Sequence, residues 1–108
     1  MGYFHKTLTK NRWYAFSKTE QLANIGSEYN RFINWEKRGD KENATSAFDR
    51  LIELIDLSLG DKKWRTSLPE LLRLKEVICD KFIGQNMYHI PSQMLEDYFL
   101  YFALNTKK

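Results

Sequence analysis

Apolar residues recur at three- and four-residue steps in four stretches of the chain, and each stretch predicts an amphipathic helix. The clearest stretch covers residues 44–59, where the apolar side chains fall within an arc of roughly 160° around a helix. These are Ala44, Ala47, Phe48, Leu51, Ile52, Leu54, Ile55 and Leu59. An arc this wide can contact two or three neighbouring helices, so we expect this segment at the centre of the fold.

A serine followed three residues later by a glutamate predicts the start of the first helix. Ser17 and Glu20 form this capping box, in which each side chain accepts a hydrogen bond from the other residue's backbone. We expect the helix over residues 18–38. Gly26 lies on its apolar stripe, and the missing side chain would let another helix approach closely.

The second and third helices are predicted in the same way. Asp40 caps the second helix, which covers the central apolar segment and ends at Gly60. Ser67 and Glu70 form a further capping box ahead of a third helix over residues 68–83. Short turns join these helices, which is typical of an antiparallel bundle.

The last predicted helix begins after Ser92, runs to about Leu104 and is apolar on nearly every side. A helix of this kind needs cover on every side. A docked segment of the chain or a second subunit could supply it, and we expect a homodimer. The candidate self-association residues are Tyr98, Phe99, Tyr101 and Phe102.

Residues 1–16 have no clean period and alternate basic with aromatic side chains. We expect an N-terminal arm, extended or briefly helical, that its aromatic residues hold against the body. A chain of 108 residues forms a single domain, residues 1–108. The predicted fold class is therefore all-α: an antiparallel four-helix bundle with an aromatic N-terminal arm.

Net charge, cysteine content and the length of apolar runs each argue against particular classes of protein. The net charge of +3 is well below the concentrated charge of a dedicated nucleic-acid binder. The only cysteine, Cys79, excludes an intrachain disulfide and suits a reducing compartment. No apolar run reaches the length of a membrane span or a signal peptide, so we expect a cytoplasmic protein without a membrane partner.

The residues capable of catalysis or metal binding are few and scattered. Cys79 lies on the apolar stripe of the third helix, which favours a buried structural thiol. His89 has no evident partner, and the two histidines are too far apart in sequence to predict a metal site. We therefore predict a non-enzymatic protein with no catalytic residues, no metal site and no cofactor, unless His89, Cys79 and a carboxylate converge in one cleft.

A polar strip along the first helix is a candidate site for a protein partner. Its members recur at three- and four-residue steps beside the apolar stripe: Gln21, Asn24, Glu28, Arg31 and Trp35. Such a strip suits recognition of a peptide or a partner helix. The alternative is an internal polar seam to the third helix, through Glu28 and Arg73, because buried polar groups need partners.

Basic residues beside aromatic residues form a second candidate site, for nucleic acid: Arg12, Trp13, Lys63, Trp64 and Arg65. Cations of this kind can hold phosphates while the rings stack on bases. However, these cations lie at helix ends and turns, where they also suit the helix dipole and solvent. The favoured function is a self-associating protein-interaction module, and nucleic-acid binding is the alternative.

Three resemblances bear on the fold. Residues 39–54, with Gly39-Asp40-Lys41-Glu42-Asn43-Ala44 followed by Phe48, Leu51, Ile52 and Leu54, resemble the second half of a tetratricopeptide repeat. In helix number and size the chain is similar to HEPN-type bundles, but it lacks the Arg-and-His motif of their RNA-cleaving members. Residues 20–28 and 76–80 resemble stretches of small bacterial helical proteins, which implies a fold without an activity.

Overall fold

The computed structural model describes residues 10–105, in which helices alternate with short turns. The elements are α1 (Lys10–Tyr14), α2 (Lys18–Lys37), α3 (Lys41–Leu59), a 3₁₀ helix (Lys62–Ser67), α4 (Leu68–Phe82) and α5 (Ser92–Asn105). Between residues 10 and 105 there is no strand. The prediction of an all-α fold with four main helices is confirmed, whereas residues 1–9 of the predicted arm lie outside the described residues.

The helices pack around one apolar core. α2 packs along both α3 and α5, while α4 packs on α3 and on the 3₁₀ helix. α3 buries six of its predicted apolar positions: Ala44, Ala47, Phe48, Leu51, Leu54 and Ile55. The central position that the sequence predicted for α3 is therefore shared with α2.

Two predicted helix caps form and one does not. The Ser17 hydroxyl accepts a hydrogen bond from the Glu20 N–H (3.1 Å), and the Glu20 carboxylate accepts one from the Ser17 N–H (2.8 Å). Asp40 accepts a hydrogen bond from the backbone of the following helix, as predicted. The capping box predicted at Ser67 is wrong, because the 3₁₀ helix runs directly into α4 and the Ser67 hydroxyl accepts a hydrogen bond from the Lys18 ammonium instead (2.8 Å).

The two serines should therefore respond differently to substitution. We expect Ser17→Ala to lower the free energy of unfolding by about 1 kcal/mol, because the Glu20 backbone N–H at the start of α2 loses its acceptor. Ser67→Ala removes a bond from the partly exposed Lys18 ammonium, which can bind water instead, and should therefore cost roughly half as much. Urea unfolding followed by circular dichroism measures both values, and equal losses would contradict the difference in capping.

α5 approaches α2 closely at Gly26, as the sequence predicted. A Cβ atom at position 26 would lie 2.6 Å from the Cβ of Phe99, which is closer than side chains pack. Phe99 is buried, and its ring centroid lies 5.3 Å from that of Tyr29 on α2. This contact fixes which side of α5 faces the core. Neither α5 nor another helix between residues 10 and 105 is long and apolar enough to cross a membrane.

Candidate functional site

The predicted polar strip on α2 divides between the interior and the surface, and Gln21 belongs to the interior. Gln21 is completely inaccessible to solvent. Its side-chain amide donates to the Trp13 carbonyl oxygen (3.0 Å) and to the Asp61 carboxylate (2.9 Å). Its side-chain oxygen accepts a hydrogen bond from the Trp64 indole N–H (2.6 Å). Gln21 thus joins α1, α2 and the turn after α3.

Further hydrogen bonds extend this arrangement. The Trp13 indole N–H donates to the hydroxyl of Ser58 (2.9 Å), which is buried on α3. The Lys63 ammonium contacts the Asp61 carboxylate and donates to the Tyr14 carbonyl oxygen (2.8 Å). We call the connected side chains the polar node: Trp13, Gln21, Ser58, Asp61, Lys63 and Trp64.

Asp61 carries the negative charge of the polar node. Burial alone would raise its pKa, but hydrogen bonds from Lys63 and Gln21 outweigh burial and hold the pKa below its usual value. A carboxylate with a lowered pKa stabilises the folded state above its unfolded pKa of about 4, and this contribution is lost as the pH falls through the folded pKa. The node is therefore an ionised, structural arrangement at neutral pH.

Glu28 is the second buried member of the strip. Its carboxylate accepts hydrogen bonds from Arg31 on the same helix (2.6 Å) and from Arg50 on α3 (3.2 Å). Among the described residues, Arg50 is thus a cation that reaches Glu28 from a neighbouring helix, whereas the predicted alternative partner was Arg73. The Arg73 guanidinium instead lies 3.6 Å from Glu76 on its own helix. Arg73 does not reach Glu28 because α2, which carries Glu28, packs on α3 and α5, whereas α4, which carries Arg73, packs on α3.

The remaining members of the strip lie at the surface. The exposed Asn24 side chain donates to the Glu20 carbonyl oxygen within its own helix (2.8 Å). Trp35 is half-buried, and the Arg38 guanidinium lies 5.2 Å from its ring. Gln21 and Glu28 therefore interrupt the strip, so its five members do not form one continuous surface.

The two tryptophans of the predicted nucleic-acid site lie in the core. Trp13 and Trp64 are each only 1% exposed, and both indole N–H groups donate to partners within the polar node. Neither ring is accessible for stacking on a base in this structure, and Lys63 also belongs to the node. Arg12 and Arg65 are exposed. Nucleic-acid binding stays a prediction that rests on these cations.

The predicted self-association residues of α5 lie on different sides of the helix. Phe99 faces the core, whereas Tyr98 and Phe102 are half-buried. Tyr101 is 62% exposed, and its neighbours Leu100 and Leu104 are 55% and 63% exposed. Three large apolar side chains therefore lie together on the side of α5 turned away from α2. We call Leu100, Tyr101 and Leu104 the outer patch.

A cleft of about 240 Å³ separates α4 from α5. It is lined by Glu70, Arg73, Leu74, Val77, Ile90, Met94, Leu95 and Tyr98. The Tyr98 hydroxyl donates to the Glu70 carboxylate across the cleft (2.9 Å). Burial raises the pKa of Tyr98 well above its usual value, and this hydrogen bond raises it further. The hydroxyl therefore stays protonated. Sequence reasoning missed the cleft, because apolar residues have the same spacing along a helix whether the neighbouring helix packs tightly or leaves a gap.

The loop between α4 and α5 is held in a defined conformation. The Asp80 carboxylate accepts a hydrogen bond from the backbone N–H of Tyr88 (3.0 Å), and the Arg73 guanidinium lies 5.7 Å from the Tyr88 ring. Asn86 and His89 each have a φ of 53°, which is uncommon outside glycine. The loop is thus fixed against α4.

Two residues on which the sequence-based enzyme hypothesis depended, Cys79 and His89, are described in the structure. Cys79 is half-buried on α4, and burial raises its pKa, which disfavours the reactive thiolate. His89 is exposed in the loop. Among residues 10–105, no group of three or more His, Cys, Asp and Glu side chains could hold a metal ion. The absence of catalysis nevertheless stays a prediction.

Comparisons with known protein families, with curated proteins and with solved structures found no match to this chain. The tetratricopeptide-like and HEPN-like resemblances therefore gain no support. What the fold establishes is a small all-helical protein.

Proposed function

We propose that this protein is a non-enzymatic interaction module that associates with a second copy of itself through the outer patch of α5. The observation that carries the proposal is the exposure of Leu100, Tyr101 and Leu104, each more than half accessible and adjacent on one helix. Contiguous exposed apolar surface of this kind marks interaction sites in proteins of this size. Burying it between two copies would remove it from water on both sides.

The distribution of charge along α5 supports a second copy as the partner. Glu96 and Asp97 lie in the first half of α5, and the second half has no charged residue. A two-fold axis across α5 would pair the helices in opposite directions. Each acidic half would then face the uncharged half of the other copy, so the carboxylates would not repel each other, and the antiparallel helix dipoles would attract.

The same proposal includes the finer architecture and the setting of the protein. We take the four main helices as an antiparallel bundle with the aromatic N-terminal segment as an arm. Within residues 10–16, the buried Trp13 and the adjacent ring of Phe16, 5.7 Å away, support the arm. The lone, unpaired Cys79 supports a reducing, cytoplasmic setting.

Charged substitutions in the outer patch test the proposal. The wild-type chain at high micromolar concentration is expected to have the mass of a dimer in light scattering. Leu100→Glu with Leu104→Glu should weaken dimerisation at least about tenfold, because both copies would bury unpaired carboxylates. Helix content by circular dichroism should stay unchanged, since both leucines face solvent.

Leu72→Glu is the matched control, because Leu72 is a similarly exposed leucine on α4. It should leave the mass of the dimer unchanged. A monomeric wild type at the same concentration would contradict the proposal, as would a doubly substituted variant that dimerises as well as the control.

A further inference from the structure

A hydrogen bond spans the cleft between α4 and α5 near each of its ends. At one end, the hydrogen bond between Tyr98 and Glu70 bridges the two helices. At the other end, the Lys81 ammonium donates to the Ile90 carbonyl oxygen (2.8 Å) and holds the loop over α4. From Val77 to Glu70, α4 advances about 10 Å. The cleft is therefore a short pit rather than a continuous groove.

The walls between these ends are formed by aliphatic and thioether side chains. Leu74 and Leu95 are buried at the bottom, and Val77, Ile90 and Met94 line the sides. Water gains few hydrogen bonds in such surroundings, and an apolar cavity of about 150 Å³ already suffices to bind benzene. At 240 Å³ this cleft has room for a longer apolar group.

The polar lining groups are few, and they differ in what they can still bind. The Glu70 carboxylate already accepts the Tyr98 hydroxyl. The Arg73 side chain is 66% exposed, and its nearest carboxylate, that of Glu76, is 3.6 Å away. A guanidinium has five N–H donors in a fixed fork, so Arg73 retains donors for an anionic group.

We propose that the α4–α5 cleft binds a small amphiphile, with its apolar chain between Leu74, Val77, Met94 and Leu95 and its anionic head group on Arg73. The ligand class is a medium-chain carboxylate or a compound of the same shape and charge. This site lies on the flank of α5 that faces α4, separate from the outer patch. It therefore does not depend on the proposed self-association.

The shape of the cleft favours a small molecule over a docked helix. A helix that binds in a groove lays several successive turns along it and needs a path through both ends. Here the Tyr98–Glu70 bridge and the Ile90 loop limit the apolar floor to about two helical turns, roughly 10 Å. A single extended chain such as that of octanoate matches this length.

Methyl-group NMR of the full-length protein tests the proposal, with octanoate as the probe below its micelle concentration. Octanoate should shift the methyl resonances of Val77, Ile90 and Leu95 in a saturable manner, while those of Leu100 and Leu104 stay unchanged. Octanol should bind about tenfold more weakly, because it cannot pair with the guanidinium. Shifts confined to the outer patch, or no saturable shift, would overturn the proposal.

Paired variants separate the cleft from nonspecific binding. Arg73→Gln should weaken octanoate about tenfold and leave octanol unchanged, whereas Arg65→Gln, at an exposed arginine outside the cleft, should change neither. Val77→Trp should fill the cleft and abolish the shifts, whereas Leu72→Trp, on another flank of α4, should not. If Val77→Trp does not fold, Met94→Trp serves instead, because Met94 is 56% exposed.

The comparison of octanoate with octanol tests the role of the anionic head group. Equal binding of octanoate and octanol, or an Arg73→Gln variant with unchanged affinity for octanoate, would overturn the role of the anionic head group. The variant Leu100→Glu with Leu104→Glu should bind octanoate as the wild type does. If the wild-type protein proves to be monomeric, the octanoate test still applies. If octanoate does not bind, the proposal of a dimer is unaffected.

Discussion

Gln21→Leu should lower the free energy of unfolding by about 3 kcal/mol, the largest effect that we expect from a single substitution. Leucine fills a similar volume but offers no hydrogen bond to Trp13, Asp61 or Trp64. The Trp64 indole N–H would then lie unpaired in the interior, which costs about 1–3 kcal/mol, whereas the Trp13 carbonyl keeps its hydrogen bond from the Phe16 N–H (3.1 Å). The lost bond to the Asp61 carboxylate adds to this cost, because hydrogen bonds to charged groups are stronger.

Urea unfolding at pH 7 measures this change, and Asn24→Ala is the control. Asn24 lies on the same helix but is exposed, and its side chain bonds only to its own helix. Its removal should change stability by no more than about 0.5 kcal/mol. A Gln21→Leu variant as stable as the Asn24→Ala variant would show that the polar node contributes little to stability.

Gln21→Glu keeps the size of the side chain and gives this prediction a pH dependence. It places a second carboxylate where the amide now lies 2.9 Å from the Asp61 oxygen. Two carboxylates so close raise the pKa of one of them above its unfolded value. The variant should therefore be strongly destabilised at pH 7 and less so at pH 5, where a shared proton relieves the repulsion.

Gly26→Ala is the second substitution with a large expected effect. It should destabilise the protein, although replacing glycine by alanine within a helix usually stabilises it. In a helix interior, alanine is ordinarily more stable than glycine by about 1 kcal/mol. Here the added Cβ would lie 2.6 Å from the Cβ and 2.9 Å from the Cγ of Phe99. These atoms sit next to the backbone of α5, so the helix itself has to move. We expect a net loss of about 2 kcal/mol.

Thermal and urea unfolding measure the loss, and Ser27→Ala provides the control. Ser27 is the next residue of α2 and is exposed, so its replacement should be neutral or stabilise slightly, by about 0.5 kcal/mol at most. Stabilisation by Gly26→Ala would contradict the close approach of α5 to α2.

The helices could be predicted from the sequence because their signals act over a few residues. Ser17 and Glu20 satisfy each other's backbone groups whatever the rest of the chain does, and Asp40 acts in the same local way. The cap predicted from the same residue types at Ser67 does not form, because the preceding 3₁₀ helix changes the backbone conformation on which a cap depends. Local patterns thus predict the start of a helix well where the preceding residues form a turn or an extended segment and not another helix.

The candidate sites could not be predicted in the same way, since they depend on contacts between distant segments. A polar residue at the edge of an apolar stripe, such as Gln21, has the same spacing whether it faces solvent or the core. The sequence placed Trp13 and Trp64 beside cations but did not show that both rings are buried. The cleft depends on the distance between α4 and α5, which no periodicity encodes.

The polar node also has a consequence for the order in which the chain folds. Four of its hydrogen bonds join residues between 40 and 49 positions apart in the sequence. The described part of α1, Lys10–Tyr14, is tied to the rest of the protein through Trp13 and Tyr14, whose partners lie on α2, α3 and the 3₁₀ helix. We therefore expect α1 to dock only after α2, α3 and the 3₁₀ helix have come together, because its partners are assembled only then.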